Sequence, residues 1–442
     1  MYGRWSIFRS VERFFRFAEF GTTYRRETLA GITTFLTLAY IIIVNPAILA
    51  AGGIPREAST TATILAAAFG TIVMAFLANR PFAIAPYMCE NAFVAYTVVG
   101  VMGLTWQMAL AAVFLAGVIF IILTVTKLRK KFAESIPLTL KYSFAVGMGI
   151  FLAFIGFNET GLVRLGVSGA PVTVGDMTNP AVLLAIFCII LIGALLALKV
   201  RGAILIGMLV TTGLYFIIIP GSLPQGIVSA PPSLAPVFGK LDLRGALSAT
   251  GIAVVVMIFV MAFVDTIGTL LGLSARANLL DDKGNLPDID RPMLADAIAT
   301  TVAPVLGTTT TGAYIESAAG IEEGGRTGFT ALVVTGLFLL ALFFSPLLTA
   351  VPAAAYGSAC IIVGSFMIAS VRRIDFDDYT ELIPAFLTIT LMSFTYNIGI
   401  GMTTGFIVWP LLKLLTGRVR QVNLIQWLLA ALSLVFYLLH PF

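Results

Sequence analysis

Long apolar runs separated by short polar segments follow one another along almost the whole chain. The runs are about 20 residues long, which is the length that an α-helix needs to cross the ~30 Å hydrocarbon core of a bilayer. The longest polar loop lies at 274–290. This pattern predicts an all-α polytopic membrane protein without a separate soluble domain.

Counting the runs gives fourteen predicted transmembrane spans, which are 27–51, 59–79, 82–101, 104–127, 138–157, 180–198, 202–220, 246–272, 292–306, 308–322, 326–349, 354–371, 380–396 and 399–416. With a cytoplasmic amino terminus, 23 of the 27 Lys and Arg residues lie in cytoplasmic segments. The residues left outside are Arg56, Arg164, Lys240 and Arg244. This asymmetry agrees with the positive-inside rule. We expect the remaining apolar segment, 422–440, to lie in the membrane interface, so that both termini are cytoplasmic.

The two halves of the chain resemble each other. ILIGMLVTTG (204–213) in span seven matches IGIGMTTG (398–405) in span fourteen, and CENAF (89–93) in span three matches IESAA (315–319) in span ten. Two tandem halves with seven spans each must have opposite orientations in the membrane. The sequence therefore predicts a 7+7 inverted repeat, which is typical of transporters.

Spans three and ten each begin with residues that disfavour helix. These stretches are PFAIAP (81–86) and GTTTTG (307–312), and Pro, Gly and β-branched Thr are poor helix formers. We expect a short extended segment followed by a half-helix in each span. Because non-helical backbone at membrane depth must be buried or line a cavity, the two segments should meet near a central site.

Polar residues at membrane depth mark this site. Burying a charge at the bilayer centre costs about 2.5–3.5 kcal/mol, so such residues usually lie on a substrate or ion path. The candidates are Glu90 and Asn91 in span three, Asp265 in span eight, Asp296 in span nine, and Glu316 and Ser317 in span ten. Structural alternatives stay open: helix capping for the two glutamates, hydrogen-bonded packing for Asp265, and a pair with a neighbouring helix for Asp296.

Aromatic residues close to these acids suggest a flat ligand. Phe263 and Tyr314 are the main candidates, with Tyr87 and Phe93 nearby. Carboxylates accept ring N–H groups, half-helix N–H groups can donate to carbonyl oxygens, and aromatic rings stack on heterocycles. Each aromatic residue taken alone is more often a packing residue.

Composition excludes several other classes. The chain is 59% hydrophobic and 11% charged, whereas a soluble domain has roughly 25% charged residues. His440 is its only histidine, so no histidine-ligated metal site or histidine relay is expected within the spans. We expect the three cysteines, Cys89, Cys188 and Cys360, to be small core residues. The net charge of +5 follows from topology and does not indicate nucleic acid. No phosphate-loop Lys follows GTTTTG and no nucleophile–base pair can be placed, so we expect no enzyme activity.

Five longer motifs are characteristic of one family. They are GTTYRRETLAGITTFLTLAYIIIVNPAIL, FVDTIGTLLG, LADAIATT, TGAYIESAAGIEEGGRTG and IPAFLTITLMSFTYNIGIGMTTGFI. With these motifs the chain resembles, over nearly its whole length, the azaguanine-like branch of the nucleobase:cation symporter-2 family. That branch contains adenine, guanine and hypoxanthine permeases.

The resemblance implies a domain organisation. Residues 1–26 would be a cytoplasmic amphipathic segment, 27–131 and 246–351 a core domain, 132–245 and 352–420 a gate domain, and 421–442 a carboxyl-terminal apolar segment. The core would move against the gate as an elevator. Relatives bind the base between spans three, eight and ten, which carries over here to Asn91, Asp265 and Glu316. Asp296 matches an acid that relatives need for transport.

One motif departs from the family. Span three reads PYMCENAF where relatives usually read a sequence similar to PGMGLNAF. Tyr87 and Cys89 thus replace glycines, and Glu90 replaces an apolar residue. The site should be bulkier and more acidic than usual, which leaves the preferred base open.

The resulting hypothesis is a secondary-active importer of purine bases in the plasma membrane, of the bacterial inner-membrane type. It needs no cofactor beyond H⁺ as coupling ion, and Na⁺ stays open. The expected substrate-binding residues are Asp265, Glu316, Asn91, Glu90, Phe263, Tyr314 and Ser317, and the expected proton-coupling residues are Glu316, Asp265 and Asp296. The alternatives are a sulfate or bicarbonate transporter on the same fold, a uracil/xanthine-type permease, or a channel. Expected partners are the purine base and the lipid bilayer, without nucleic acid. Relatives are often dimeric, and the sequence does not decide this for the present chain.

Overall fold

The computed structural model describes residues 10–127, 136–167, 170–221, 223, 226–277, 279, 286 and 288–439. The helices are α1 (Phe17–Phe20), α2 (Tyr24–Leu38), α3 (Ile41–Ala51), α4 (Arg56–Val73), α5 (Met88–Ala92), α6 (Trp106–Val125), α7 (Leu138–Glu159), α8 (Pro180–Ala197), α9 (Ala203–Ile218), α10 (Leu243–Ala246), α11 (Ala249–Arg276), α12 (Asp290–Leu306), α13 (Ser317–Glu322), α14 (Gly328–Ala341), α15 (Ser345–Thr349), α16 (Ala353–Met367), α17 (Tyr379–Phe394), α18 (Ile398–Leu415) and α19 (Leu424–Leu439). The strands are β1 (Ile84–Pro86), β2 (Val163–Val167), β3 (Ala170–Val174) and β4 (Thr311–Ala313).

Several helices continue in a different helical geometry. Helix α4 continues as a π-helix over Met74–Ala78, and α5 continues as a π-helix over Phe93–Val101. The 3₁₀ stretches are Leu342–Phe344, Ile368–Arg373 and Val419–Gln421. Predicted span one is also interrupted, since α2 ends at Leu38 and α3 begins at Ile41.

Nine helical stretches within the described residues are long and apolar enough to cross a membrane. They are Tyr24–Ala51, Arg56–Ala78, Trp106–Val125, Leu138–Glu159, Pro180–Ala197, Ala249–Leu270, Gly328–Thr349, Ala353–Arg373 and Ile398–Leu415. All nine coincide with predicted spans. Three shorter apolar helices, Met88–Val101, Ala203–Ile218 and Tyr379–Phe394, coincide with spans three, seven and thirteen. The helical membrane architecture is thus confirmed, while the count of fourteen crossings stays a prediction.

Strands β1 and β4 bring the two halves of the chain together. They pair antiparallel, with Ile84 opposite Ala313 and Pro86 opposite Thr311. All residues of both strands are buried. The pairing extends past Pro86, because the backbone N–H of Tyr87 donates to Thr310 O at 2.9 Å. Since a buried backbone group without a partner costs free energy, each extended segment needs the other.

A glycine allows a close contact at this pairing. The ring of Tyr87 lies directly against Gly312, at a distance that a Cβ on Gly312 would make impossible. Any side chain at position 312 would therefore displace the tyrosine or separate the strands.

The described helices pack in two groups. Helices α2, α4, α6, α11, α12 and α14 contact one another, and so do α7, α8, α9, α16, α17 and α18. Within the second group, α7 and α16 approach closely at glycines. A Cβ on Gly149 would lie 2.7 Å from Gly364 O, and one on Gly156 would lie 2.5 Å from Gly357 O. These helices correspond to the expected core and gate, although the domain division itself stays a proposal.

The carboxyl-terminal helix, which the sequence predicts to lie in the membrane interface, packs against the helix before it. Helix α19 runs antiparallel to α18 and packs along it. The Tyr437 hydroxyl donates to Ile400 O at 3.1 Å and lies 2.8 Å from the Thr404 hydroxyl, near the start of α18. We propose that a helix packed in this way crosses the membrane beside α18. Its carboxyl terminus would then lie on the side opposite to the expected cytoplasmic one.

Topology reporters test this placement. If α19 crosses the membrane, alkaline phosphatase fused after Gly417 and after Phe442 will report opposite sides, and fluorescent-protein fusions will give the reverse pattern. The Gly417 fusion is the matched control, because it lies in the loop between α18 and α19. Fusions that report the same side at both positions would place α19 in the interface.

Candidate functional site

A cavity of about 740 Å³ opens between the two groups of helices. One wall consists of Phe263, Asp265 and Ile315 with their neighbours in α11, and the other of the start of α7 and the end of α16. The complete lining is Leu138, Lys141, Tyr142, Ala145, Phe263, Val264, Asp265, Ile267, Gly268, Thr269, Ile315, Met367, Ala369, Ser370 and Arg373. The cavity therefore brings an acid from the middle of α11 into contact with the exterior of the protein.

Two carboxyl groups meet behind this cavity. Glu90 is fully buried in the short helix α5, and the carboxyl group of Asp265 is close enough to act on its charge. Neither carboxyl oxygen of Glu90 has a hydrogen-bond partner among the described residues. Two ionised carboxylates repel each other in a buried site, whereas a pair that holds one proton forms a hydrogen bond. The arrangement is therefore suited to take up and release a proton.

Tyr87 and Tyr314 form a rigid aromatic wall next to the acids. Their rings stack with centroids 6.1 Å apart and an interplanar angle of 18°. The Tyr314 hydroxyl donates to Pro86 O at 2.6 Å, and the Tyr87 hydroxyl donates to Ala313 O at 3.4 Å. Each tyrosine thus binds the strand of the other half, so the wall strengthens the pairing of β1 and β4.

Glu316 directly precedes the short helix α13, and its carboxyl group has a protein partner. The fully buried Tyr40 donates to Glu316 Oε1 at 2.5 Å. Tyr40 lies at the interruption between α2 and α3. The tyrosine therefore fixes the position of the carboxyl group.

Three other predicted site residues are absent from the cavity lining and have hydrogen-bond partners within the protein. Asn91 donates to Asn45, which in turn donates to the Thr63 and Thr308 hydroxyls at 2.7 and 3.0 Å. In α13, Ser317 accepts the backbone N–H of Ala83 at 3.0 Å.

The third, Asp296, accepts the backbone N–H of Ala313 at 3.0 Å and the hydroxyl of Thr266. These contacts hold β4 and α11 in place. Ser317 and Asp296 thus bind backbone N–H groups at the two strands, whereas Asn91 binds the side chain of Asn45.

Phe263 has both a packing and a lining position. It is fully buried in a cluster of aromatic rings, with its centroid 5.5 Å from Phe120 and 5.5 Å from Phe259. It also contributes to the cavity wall. Its ring is therefore held in one orientation by the protein.

Several lining residues were missed by the sequence analysis. Ile315 is 49% exposed although it lies between Tyr314 and Glu316. Lys141 and Arg373 line the cavity from the opposite wall, so basic residues do border it. The sequence marks both only as cytoplasmic positive charges. Tyr40 was also missed, and its one sequence signal is a hydroxyl within the apolar run LAYIIIV.

A second polar cluster joins the two helix groups at the far ends of α7 and α16. We call Arg56, Tyr96, Glu159 and Tyr356 the Glu159 cluster. The Tyr96 hydroxyl donates to Glu159 Oε1 at 2.9 Å, and the Tyr356 hydroxyl donates to Glu159 Oε2 at 2.6 Å. The Arg56 guanidinium lies 5.7 Å above the Tyr356 ring. The protein is thus closed at one end of α7 and α16 and open at the other.

Solved structures share this fold. The transmembrane domain of a cyanobacterial bicarbonate transporter, BicA, superimposes with a TM-score of 0.63, covering 87% of this chain and 98% of that domain at 17% identity. SLC26A9 superimposes with a TM-score of 0.62, covering 88% of this chain and 65% of that chain at 10% identity. At these identities the likeness shows the fold alone.

Sequence relatives cover nearly the complete chain. A permease of Methanocaldococcus jannaschii is 46% identical over 98% of each chain. The adenine permease AdeQ of Escherichia coli is 38% identical and covers 96% of this chain and 95% of its own length. The guanine/hypoxanthine permease PbuG of Bacillus subtilis is 40% identical over 97% of this chain and 99% of its own. With a family model matching residues 25–407 as well, the chain belongs to the permease family.

Proposed function

We propose that this chain is a secondary-active transporter that imports purine nucleobases of the adenine, guanine or hypoxanthine type together with H⁺. The observation that carries the proposal is the pair of carboxyl groups, Glu90 and Asp265, at a cavity between two groups of membrane helices. Relatives named adenine permease and guanine/hypoxanthine permease support the choice of substrate.

The chemistry of the cavity suits a purine. Asp265 offers carboxylate oxygens that accept ring N–H and exocyclic amine protons, and the Phe263 ring lies two residues away on the same wall. The volume of about 740 Å³ falls in the usual range of small-molecule sites, roughly 300–1,000 Å³. The base would fit between α11, Ile315 and the start of α7.

The Glu90–Asp265 pair is our candidate for the coupling proton. A single proton between the two carboxyls leaves one of them free to accept ligand N–H groups. In contrast, Glu316 already accepts the Tyr40 hydroxyl at 2.5 Å. Binding of the purine and protonation of the carboxyl pair would thus be linked at the same site. Symport requires such a link between substrate and proton.

Alternating access would follow from motion of the core against the gate. In this proposal the cavity faces the cytoplasm, and the Glu159 cluster closes the outer end. Tyr96 lies on the core and Glu159 and Tyr356 on the gate, so the hydrogen bond from Tyr96 must break when the core moves. An elevator mechanism and the fourteen-span inverted repeat belong to the same proposal.

An inorganic anion is the second candidate substrate, because Lys141 and Arg373 line the cavity. Both basic residues lie on the wall opposite Asp265 and Phe263. Repulsion from Asp265 disfavours an anion deeper in the cavity. Uptake of sulfate and of bicarbonate should therefore be measured beside uptake of purines.

Uptake by proteoliposomes tests the substrate and the coupling ion. We expect an inward H⁺ gradient to drive accumulation of at least one radiolabelled purine, because the carboxyl pair releases its proton inside. A Na⁺ gradient alone and protein-free liposomes are the controls. Accumulation of sulfate or bicarbonate but of no purine would overturn the proposal.

Replacement of Asp265 tests base recognition. We expect Asp265→Asn to weaken equilibrium purine binding at least about tenfold, since one charged hydrogen bond contributes ~1.5 kcal/mol or more. Isothermal titration calorimetry measures this. Asp377→Asn is a matched control, because Asp377 is exposed in the loop before α17. Unchanged affinity in Asp265→Asn would make Asp265 a structural residue.

Replacement of Glu90 tests the carboxyl pair. Glu90→Leu removes the second carboxyl, so we expect transport to continue with a pH profile shifted by about one unit or more between pH 5 and 8. Glu90→Gln, which keeps the shape and a hydrogen bond, should shift the profile in the same way. An unchanged profile accompanied by a lower melting temperature would show that Glu90 only stabilises the half-helix.

The Glu159 cluster generates a prediction about conformation. Tyr96→Phe removes one hydrogen bond to a charged group, with a free energy of about 1.5–3 kcal/mol, and should favour the outward-open state roughly tenfold or more. Modification of Ser370→Cys by a membrane-impermeant maleimide from the cytoplasmic side should then slow. The control is Tyr215→Phe, a partly buried tyrosine of α9 outside the cluster. Equal labelling rates in both variants would contradict a role in gating.

A further inference from the structure

A second cavity lies at one end of the candidate span Arg56–Ala78. Its volume is about 230 Å³, and it shares no lining residue with the larger cavity. Its lining consists of Phe14, Arg16, Phe20, Phe76, Leu77, Ala78, Asn79, Arg80, Asp288 and Arg291. Three guanidinium groups thus surround a small space that the transport mechanism does not use.

The residues that line this cavity carry more positive than negative charge. The lining contains Arg16, Arg80 and Arg291 but only one carboxylate, that of Asp288. Outside the lining, Glu19 forms an ion pair with Arg16 at 2.6 Å. Asp288, Arg16 and Arg291 are all close enough to Arg80 to act on its charge. The Nε of Arg80 is buried and has no acceptor among the described residues. Because a buried cationic donor without a partner is unfavourable, an anion with several oxygens would stabilise the site.

The local backbone holds the arginines in these positions. Arg16, Asn79 and Asp288 all have left-handed backbone conformations, with φ of 60°, 49° and 55°. The Asn79 side chain donates to Phe15 O at 3.2 Å and accepts Gly328 N–H at 2.8 Å. The amino-terminal segment, the end of α4 and the start of α14 are therefore tied together next to Arg80.

Apolar side chains border the same cavity. Phe14 and Phe76 are 53% and 52% exposed, and their ring centroids lie 5.6 Å apart. Leu77 is also exposed beside them. Exposed aromatic and aliphatic groups at the end of a membrane span contact acyl chains, and arginines at this depth reach the phosphate groups of lipids. The combination indicates a lipid more strongly than a soluble anion.

We propose that this cavity binds the phosphate of an anionic phospholipid. The guanidinium groups of Arg16, Arg80 and Arg291 donate to the phosphate oxygens, and the acyl chains lie along Phe14, Phe76 and Leu77. The lipid would join the amino-terminal segment to the core next to α4 and α14.

Lipid binding to the purified, delipidated full-length protein tests the proposal. Native mass spectrometry and melting curves are recorded with dioleoylphosphatidylglycerol, with dioleoylphosphatidylcholine and with inorganic phosphate. We expect phosphatidylglycerol to bind and to raise the melting temperature, and the other two to do neither. Arg16→Gln/Arg291→Gln should weaken phosphatidylglycerol binding at least about tenfold, and Arg80→Gln should do the same. Arg420→Gln, at an exposed arginine after α18, should leave it unchanged.

Three results would overturn the proposal. Equal binding of the two lipids would show an apolar groove without phosphate recognition. An equal effect of inorganic phosphate alone would show a site for soluble anions. Unchanged phosphatidylglycerol affinity in the Arg16→Gln/Arg291→Gln variant, whose two substitutions are at exposed positions, would show that the lipid binds elsewhere.

Discussion

The pairing of β1 with β4 is the constraint on which the rest of the structure depends. Extended backbone within a membrane protein must find partners inside the protein, because lipid offers none. Each strand has three residues, too few to be stable alone, and each comes from a different half of the chain. The two short helices that follow the strands, α5 and α13, therefore have fixed starting points only when both halves are folded together.

Most of the polar residues at membrane depth serve this pairing. Asp296 and Ser317 accept backbone N–H groups of Ala313 and Ala83, beside the strands. Tyr87 and Tyr314 each donate to a carbonyl of the other half. With these groups occupied, the carboxyls of Glu90 and Asp265 remain directed at each other. Asp296 and Glu316 accept hydrogen bonds from the protein, whereas Glu90 has no partner among the described residues. Function in our proposal depends on this difference.

The helices α7 and α16 connect the site to the two ends of the protein. Their glycine contacts allow close packing, so the pair forms a rigid unit. The cavity lies at one end of this pair and the Glu159 cluster at the other. In our proposal, movement of the core along this unit would open one end as it closes the other. The carboxyl-terminal helix α19 packs against α18 at the side of the same group.

The sequence by itself determined the membrane class, the positions of most helices and the four acids at membrane depth. Hydropathy is a local property, so runs of apolar residues and their interruptions by Glu90, Asp265, Asp296 and Glu316 can be read directly. The interruptions PFAIAP and GTTTTG likewise predicted the two extended segments.

Only the tertiary structure decided which partner each polar group has. Asn91 has the right residue type for a ligand contact, but Asn45 lies within its reach and takes its amide. Tyr40 could not be connected with Glu316 because the two are far apart in the sequence. The position of α19 is a similar case, since its hydropathy permits both an interfacial and a crossing helix and only its hydrogen bonds place it along α18. Hydrogen bonds and helix contacts between distant segments depend on three-dimensional proximity, which hydropathy and motif spacing do not contain.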